Sequence, residues 1–333
     1  DNDTNVNLGS TGTITAKQFT LKAEHDDVSS HENISAGAGL ASGEGSDSRT
    51  TINSDVNVNV GSKDANPSDK LQITTSKLFD VDADNSSVID WLEKDANGDV
   101  VSDAYNSLSA GAALVTGTGI VNRTNITHNT NVNLDDTVVK GNAELTQADR
   151  DAGKILADIN AVTIDAHSNI VSKDYQYIGT GAAIEVAHIS DKNKATANTK
   201  VNLGSNAELY AGDTVSANSK VVEDNITTTT HGYVDVGGGS ISIGARNDAD
   251  MFSSTVVSVW GVTGYTGSDN VVEYNGDVGI NVDSDIETAN GDVRIAAGYD
   301  SAGNNGETYL KAYSLLANST GFPISIHPEP EAN

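Results

Sequence analysis

The residues best suited to chemistry in this sequence are oxygen ligands in a short acidic segment. Asp95, Asn97 and Asp99 stand on alternate positions, Gly98 lies before the third of them, and Asp103 follows four residues later. Oxygen ligands at this spacing resemble the start of a calcium loop. The EF-hand pattern fails, because no glutamate stands at the twelfth position. Asp-Ala-Asn-Gly-Asp is also a common turn sequence, so a turn is the main prediction. The alternative is one weak calcium site formed by Asp95, Asn97, Asp99 and Asp103.

An aromatic segment is the second candidate site. Residues 251–274 contain Phe252, Trp260, Tyr265 and Tyr274, a quarter of the 4 Phe, 2 Trp and 10 Tyr of the chain. Exposed aromatic rings stack on sugars and form energetic centres of protein interfaces. Trp260 and Tyr265 are therefore the candidate ligand-binding residues. The competing explanation is a strand pair in which Trp260 covers an edge of the fold.

Other catalytic and cofactor patterns are missing from the sequence. The seven histidines show no HxH, HExxH or paired spacing, and there is no cysteine for a thiolate site. The glycine triplet at 237–239 is not followed by Lys-Ser/Thr, and no Gly-x-Ser-x-Gly elbow occurs. We therefore predict a protein that is not an enzyme and that has no catalytic residue and no cofactor, with calcium as the minority hypothesis.

Composition excludes several classes of protein. With 19 Lys+Arg against 47 Asp+Glu, the net charge of −28 has the wrong sign for nucleic-acid binding. No apolar run approaches the roughly 18 residues of a membrane helix, so no transmembrane segment is predicted. The 32 glycines and the low aromatic share of 5% rule out a bulky core and favour many short strands.

Three short motifs recur in a fixed order and indicate five repeats. The first is apolar-Asn-apolar, centred on Asn7, Asn59, Asn133, Asn202 and Asn281. The second is Ile-x-Ala, a turn and apolar-x-apolar-x-Ala, at 14–23, 73–83, 155–166, 209–218 and 286–297. The third is rich in small residues, at 35–40, 109–114, 179–184 and 236–241. Nine positions before the first motif stand Arg49, Arg123, Lys192 and, in the last repeat, Val271.

The local pattern within each repeat predicts the fold. Apolar and polar residues alternate with a period of two, and glycine, asparagine and aspartate interrupt short apolar runs. We predict an all-β fold, a right-handed parallel β-helix or β-solenoid with short loop insertions, about 20 to 25 residues per rung and about 13 to 16 rungs. The motif asparagines are expected to form stacked amide ladders, and the basic residues to lie at the surface.

The predicted organisation is one solenoid segment, residues 1–333, excised from a longer repetitive chain. Insertions are expected near 90–106, 146–154 and 251–274, and the one at 146–154 has a short helical pattern. Residues 317–333 are expected to form an irregular tail that leads toward a further repeat.

The cycle of motifs also resembles a known family. The strings VNLGS, ITAKQFTLKA, SAGAGLASGEG and RTTINSDVNVNV, with their later variants, cover most of the chain. They resemble the repeats of leukotoxin-type filamentous adhesins, the filamentous-haemagglutinin-like exoproteins of two-partner secretion. The resemblance implies a right-handed β-helical shaft on a bacterial surface, exported through an outer-membrane pore. The chain departs from the family at 90–106 and at 237–239, and it does not contain the family's secretion domain.

Three functions are compatible with these observations. The main prediction is a structural shaft segment of a large secreted bacterial surface adhesin or filament, serving cell attachment or biofilm. The alternatives are a glycan- or protein-binding module on a β-helix, and a polysaccharide-degrading β-helix enzyme or tailspike. The predicted partners are a surface glycan or protein receptor and other copies of the chain, associated end to end or laterally. The predicted location is extracellular or on the bacterial cell surface.

Overall fold

The computed structural model describes residues 2–9, 11–29, 33–61, 70–90, 107–212 and 238–333, with the backbone alone for Asp90 and for 323–329. Strands make up 81% of it and helix 3%, which confirms the predicted all-β class. The elements are β1 (Asn2–Leu8), β2 (Gly12–Ala16), β3 (Phe19–Val28), β4 (Asn33–Val60), β5 (Leu71–Thr75), β6 (Phe79–Asp90), β7 (Ser107–Leu134), β8 (Thr137–Gly141), α1 (Gln147–Asp151), a 3-10 turn (Leu156–Asp158), β9 (Asn160–Leu203), β10 (Glu208–Ala211), β11 (Ser240–Val282), β12 (Asp285–Thr288), β13 (Val293–Ala297) and β14 (Thr308–Ala332).

The strands form two sheets in which the ladders between named strands are parallel. The larger sheet has the order β1-β4-β7-β9-β11-β13, with β14 also on β11 and with β3 and β6 leading onto β9. The smaller sheet has the order β12-β10-β8-β5-β2. In both sheets each strand pairs with its counterpart from the next repeat. The parallel arrangement predicted from the repeats is therefore confirmed.

Pairing follows the repeats residue by residue. The apolar residue that opens the first motif pairs with its counterpart in the next repeat, along the series Val6, Val58, Val132, Val201 and Ile280. Arg49 pairs with Arg123, which pairs with Lys192, and Lys192 pairs with Val271. One repeat therefore forms one layer, and we number the layers 1 to 5 in chain order. The predicted rung of 20 to 25 residues is wrong, because first-motif partners lie 52, 74, 69 and 79 residues apart.

The layers are long because the chain reverses direction inside each long strand. Ser172 Oγ donates to Asn193 Oδ1 at 2.9 Å across 21 residues, and the hydroxyls of Thr255 and Ser268, 13 residues apart, lie 2.6 Å from each other. An extended chain of 13 residues would span about 43 Å, so the strand doubles back. We call the two halves the outgoing and returning limbs, and the point of reversal halfway between the bonded residues the apex.

The apolar core lies at the base of the limbs. Val58 ends a returning limb, Ile73 belongs to the smaller sheet and Phe79 begins an outgoing limb, and all three are fully buried in one cluster. Burying such a side chain contributes about 1.5 to 3 kcal/mol. The rings of Phe19 and Phe79 stack with centroids 5.5 Å apart. The first two motifs recur because every layer must supply apolar side chains to this core from the same three places: the end of a returning limb, the smaller sheet and the start of an outgoing limb.

The interior between the limbs combines two smaller apolar clusters, one around Ile126 and one around Ile178, with buried polar groups. The buried imidazole of His128 lies 2.7 Å from Ser87 Oγ and 2.8 Å from Ser168 Oγ, which belong to different layers. Asn122 Nδ2 donates to Asp191 Oδ1 at 2.9 Å, again between layers. Burial lowers the pKa of His128 to about 4 and raises that of Asp191, so both groups favour their neutral forms. Hydrogen bonds therefore hold the limbs together where apolar packing is thin.

The predicted asparagine ladder is confirmed. Side-chain amide donors and carbonyl acceptors join successive layers at 2.7 to 2.9 Å through Asn7, Asn59, Asn133, Asn202 and Asn281. A shorter ladder of 3.0 Å bonds joins Asn5, Asn57 and Asn131. Parallel in-register pairing places identical amides one strand spacing, about 4.8 Å, apart, which allows each to donate to the next.

Replacing Asn133 by alanine is expected to lower the free energy of unfolding by about 1 kcal/mol, because Asn133 both donates to Asn59 and accepts from Asn202. Asn281→Ala is the matched control. It removes one ladder bond from an exposed residue in the last layer, so about half the loss is expected. Urea unfolding followed by circular dichroism measures both. Equal losses of unfolding free energy in the two variants would contradict the view that Asn133 stabilises the stack through two ladder bonds.

Three of the predicted motif copies are wholly or partly misplaced. The strand of repeat 3 in the smaller sheet is β8, where Val139 pairs with Ile73, whereas residues 156–158 of the predicted copy form the 3-10 turn. In repeat 4 the segment that pairs with 162–166 is 241–245, and the predicted 214–218 lies outside the described residues. The third motif of repeat 4 is also not at 236–241, because residues 257–261 pair with 178–182. Short apolar-x-apolar strings recur by chance in a strand-rich chain, and intervening loops shifted the apparent alignment.

The predicted insertions have different outcomes. The helical excursion at 146–154 is confirmed as α1, where Asp149 N donates to Thr146 Oγ1 at 3.2 Å. Residues 251–274 are not an insertion, because they lie inside β11 and pair with β9, and as far as Val272 with β14. Residues 317–332 are not an irregular tail, because β14 continues to Ala332 on β11. Residues 91–106 of the predicted 90–106 insertion lie outside the described part.

Candidate functional site

An ordered loop in repeat 5 forms one side of a cleft in the surface. Between β13 and β14 the chain turns at Gly298 and Gly303, whose φ angles of 88° and 98° suit glycine. The carboxylate of Asp300 accepts hydrogen bonds from Asn304 N at 2.8 Å and Asn304 Nδ2 at 2.7 Å. These bonds outweigh the effect of burial and hold the pKa of Asp300 below its usual value. The loop, residues 298–306, is therefore folded by its own polar groups.

The loop is fastened to layers 3 and 4. Ser301 N and Oγ both donate to the carboxylate of Asp165, with the amide bond at 2.7 Å. Arg246 Nη1 contacts Asp300 Oδ2 at 3.0 Å. Glu307 N donates to Asp248 Oδ1 at 2.8 Å. The outgoing limbs of these two layers thus hold the loop as a wall above their outer face.

A charge network lies beneath this wall. The imidazole of His167 contacts Asp84 Oδ1 at 3.3 Å through Nδ1 and Asp248 Oδ2 at 2.8 Å through Nε2. Burial alone would lower the pKa of His167, but the two carboxylates outweigh it and raise the pKa. The bond from His167 in turn lowers the pKa of Asp84. Arg246 Nη2 lies 3.1 Å from Asp248 Oδ2, so the network is cationic and anionic in nearly equal parts.

Asp165 is the most perturbed carboxyl of this region. Burial raises its pKa to about 6, against the opposing hydrogen bonds from Ser301. A raised pKa is a property that general acids share. However, the Asp165 oxygens are already occupied by Ser301 N and Oγ. Its geometry therefore fits a structural anchor for the loop better than proton transfer to a substrate.

The cleft itself has a volume of about 1280 Å³ and is open to solvent. Its floor carries the ring of Phe252, which lies 5.1 Å from the ring of Tyr175 and 5.4 Å from Lys311 Nζ. Tyr309, 55% exposed, also lines the cleft from the adjacent strand β14, where it pairs with Asp250. The remaining lining includes amide, hydroxyl and charged groups, among them Asn169, Lys173, Asn304 and Asn305.

This combination is suited to binding hydroxyl-rich ligands. Aromatic faces stack on the apolar faces of sugar rings, while amides and charged groups bind hydroxyls. The carboxylates of Asp84, Asp165 and Asp248 are held by protein partners, which keeps the walls rigid. Among the described residues, no group of three or more His, Cys, Asp or Glu could hold a metal ion. The arrangement can therefore bind a hydroxyl-rich ligand between rigid walls.

The residues predicted from the sequence lie elsewhere. Trp260, 50% exposed, and the half-buried Tyr265 lie on either side of the apex in layer 4, away from the cleft. Of the aromatic segment, only Phe252 lines the cleft. The candidate calcium ligands Asp95, Asn97, Asp99 and Asp103 lie outside the described residues, and the site stays a prediction.

Sequence reasoning missed His167, Arg246 and Asp248 because no local motif contains them. Arg246 pairs with His167 in the register between β11 and β9, 79 positions apart in sequence. Aligning the repeats by register was the available signal. It places charged residues in successive layers next to the irregular loop of repeat 5.

Comparisons with known proteins return no match: no family model, no curated protein and no solved structure matches this chain. The likeness to filamentous adhesins therefore depends on the repeated motifs alone. In the described part of the chain, no helix has the length and apolar character needed to cross a membrane.

Proposed function

We propose that the chain is a segment of the shaft of a secreted bacterial surface adhesin, and that the cleft on its outer face binds a glycan. The observation that carries the binding proposal is the cleft lined by Phe252, Tyr175 and Tyr309, with its wall fastened to layers 3 and 4. A shaft that also carries a binding cleft combines the first two functions compatible with the repeats. Its site of action would be the extracellular face of the cell.

The proposed architecture is a right-handed parallel β-helix in which each repeat makes one wide coil. Parallel pairing of each repeat with the next supports it, as do the ladders that run along the stack. Five layers at about 4.8 Å each give a height of about 24 Å. Stiffness follows from this design, because bending would stretch the parallel ladders and asparagine ladders on one side.

The proposed ligand is a neutral or partly cationic glycan. With a net charge of −28, the protein repels polyanions such as acidic capsules at low ionic strength. Within the cleft, Lys173 is paired with Asp250 at 2.9 Å and Arg246 with Asp248 and Asp300. These cations are neutralised by protein carboxylates, so hydroxyl recognition and ring stacking dominate.

Replacing Tyr309 by alanine is expected to weaken glycan binding about tenfold or more, because an exposed aromatic platform is lost. The experiment screens the purified chain on an array of neutral, amino and acidic glycans, and then measures the best ligand by calorimetry. Trp260→Ala is the matched control, since it removes an exposed aromatic ring outside the cleft. Binding that survives Tyr309→Ala but not Trp260→Ala, or no binding to any glycan, would refute the cleft.

The same panel tests the absence of catalysis. Because Asp165 and Asp248 are held by protein groups, we expect no shortened or unsaturated products after prolonged incubation. Product formation that Asp165→Asn abolishes would make the protein a polysaccharide-degrading enzyme instead.

The calcium hypothesis is tested by calorimetric titration of the chain and of the Asp95→Ala and Asp99→Ala variants with calcium. Binding heat that both variants lose supports a site, and heat that both retain removes it.

A further inference from the structure

The apex of the stack presents an apolar ridge to solvent. The ridge consists of Leu40, Leu114, Val115, Ile184, Val262 and Phe322, which are 84%, 59%, 43%, 51%, 57% and 73% exposed. Val115 pairs with Ile184, and Thr263, which follows Val262 in the chain, pairs with both Ile184 and Phe322, so the members lie in two adjacent rows along the stack. Every layer contributes at least one member. Over four layer spacings the ridge is about 19 Å long.

The ridge differs from the rest of the surface in charge. The apex segments 37–43, 111–117, 180–186, 259–265 and 318–322 contain a single charged residue, Glu185, and it is buried. In a chain with 47 acidic residues, this is a surface on which two copies could approach without direct repulsion between carboxylates. No basic side chain in these segments is available to bind lipid headgroups, which argues against a membrane surface as the occupant.

The size of the ridge is also sufficient for an interface. The six large apolar side chains, 43% to 84% exposed, present roughly 100 Å² each and so on the order of 600 Å² together. That is at the upper end of the apolar patches found on monomeric proteins, and close to what one partner contributes to a standard interface. A stripe of apolar side chains that runs the height of the stack can pack against the same stripe of a second copy, and so suits a two-fold symmetric contact.

We propose that two copies of this chain associate laterally through the apex ridge, with the apolar side chains of one copy packed against those of the other. The cleft lies on the outer face of the outgoing limbs, away from the apex, so paired shafts would keep their binding sites open. The proposal does not depend on glycan binding, because it uses different residues.

Sedimentation velocity of the purified chain over a range of concentrations and salt tests the proposal. We expect a monomer-dimer equilibrium whose dissociation constant falls as NaCl rises from about 0.05 to 0.5 M, since salt screens the repulsion of two chains of −28. Leu114→Glu and Val262→Glu should each weaken association at least 30-fold. Both positions are more than half exposed, so the monomer should still fold, as circular dichroism would show.

Ile155→Glu is the matched control, because it places the same charge on a side chain that is 61% exposed in the segment between β8 and β9. Its dimerisation should equal that of the wild type. The proposal is overturned if the wild type stays monomeric in 0.5 M NaCl, or if Ile155→Glu weakens association as much as Leu114→Glu. A monomer that binds zwitterionic vesicles would overturn it as well and would assign the ridge to lipid.

Discussion

Replacing Gly61 by alanine is expected to lower the free energy of unfolding by about 3 kcal/mol. Gly61 has a φ of 71°, a left-handed conformation that side chains disfavour. An added Cβ would also overlap the backbone carbonyl of Asp135 in the next layer and lie 2.5 Å from Thr137 Oγ1. That carbonyl cannot withdraw easily, because Asp135 N donates to Val60 O at 3.0 Å and holds the layers in register.

Gly117→Ala is the control for this prediction. Gly117 lies in the apex segment 111–117; its φ is not positive and a Cβ there meets nothing within 4 Å. A change of less than about 0.5 kcal/mol is expected from the alanine there. Urea unfolding of both variants, monitored by circular dichroism, measures the difference. Similar losses for the two would show that the stack tolerates local separation of its layers.

Replacing Glu185 by glutamine is expected to stabilise the protein at pH 8 by up to about 3 kcal/mol and to leave its stability at pH 4 nearly unchanged. Glu185 is 1% exposed, and neither carboxylate oxygen has a hydrogen-bond partner. Burial raises its pKa from 4.5 to about 7. The folded state therefore retains a proton that the unfolded state releases.

The pH window follows from these two values. Below pH 4.5 the carboxyl is protonated in both states and costs no ionisation energy. As pH rises from 4.5 to about 7, keeping the group neutral becomes steadily more unfavourable, so the stability contributed by Glu185 falls; above about 7 the loss is constant. Glutamine has no such titration, and the difference between the two proteins grows over this window.

Denaturant unfolding at pH 4, 5, 6, 7 and 8 measures that difference. Glu287→Gln, the same substitution at an exposed carboxylate, is the matched control. A difference between Glu185→Gln and wild type that stays flat from pH 4 to 8 would mean that Glu185 is solvated or paired in solution. The magnitude also reports how dry the interior near the apex is.

Several features of the fold were predictable because they depend on local pattern. Alternation of apolar and polar residues indicated strands with one buried face, as Val58 and Asn59 show by lying inside and outside the same limb. The recurrence of apolar-Asn-apolar predicted both the in-register pairing and the amide ladder. Identical residues at equivalent positions can stack only if their strands run parallel and in register, so this information is contained in the sequence itself.

The width of each layer and the cleft were decided only in three dimensions. Period-two alternation is the same in a short straight strand and in one that reverses between Ser172 and Asn193, so the rung length could not be read from it. The cleft needs Asp84, His167 and Arg246 from three different repeats, and no local spacing links residues that far apart. By itself the sequence determined which residues face inward and which residues recur in successive layers. The packing of one layer on the next decided which outward side chains meet, because register between distant segments is set by the whole stack.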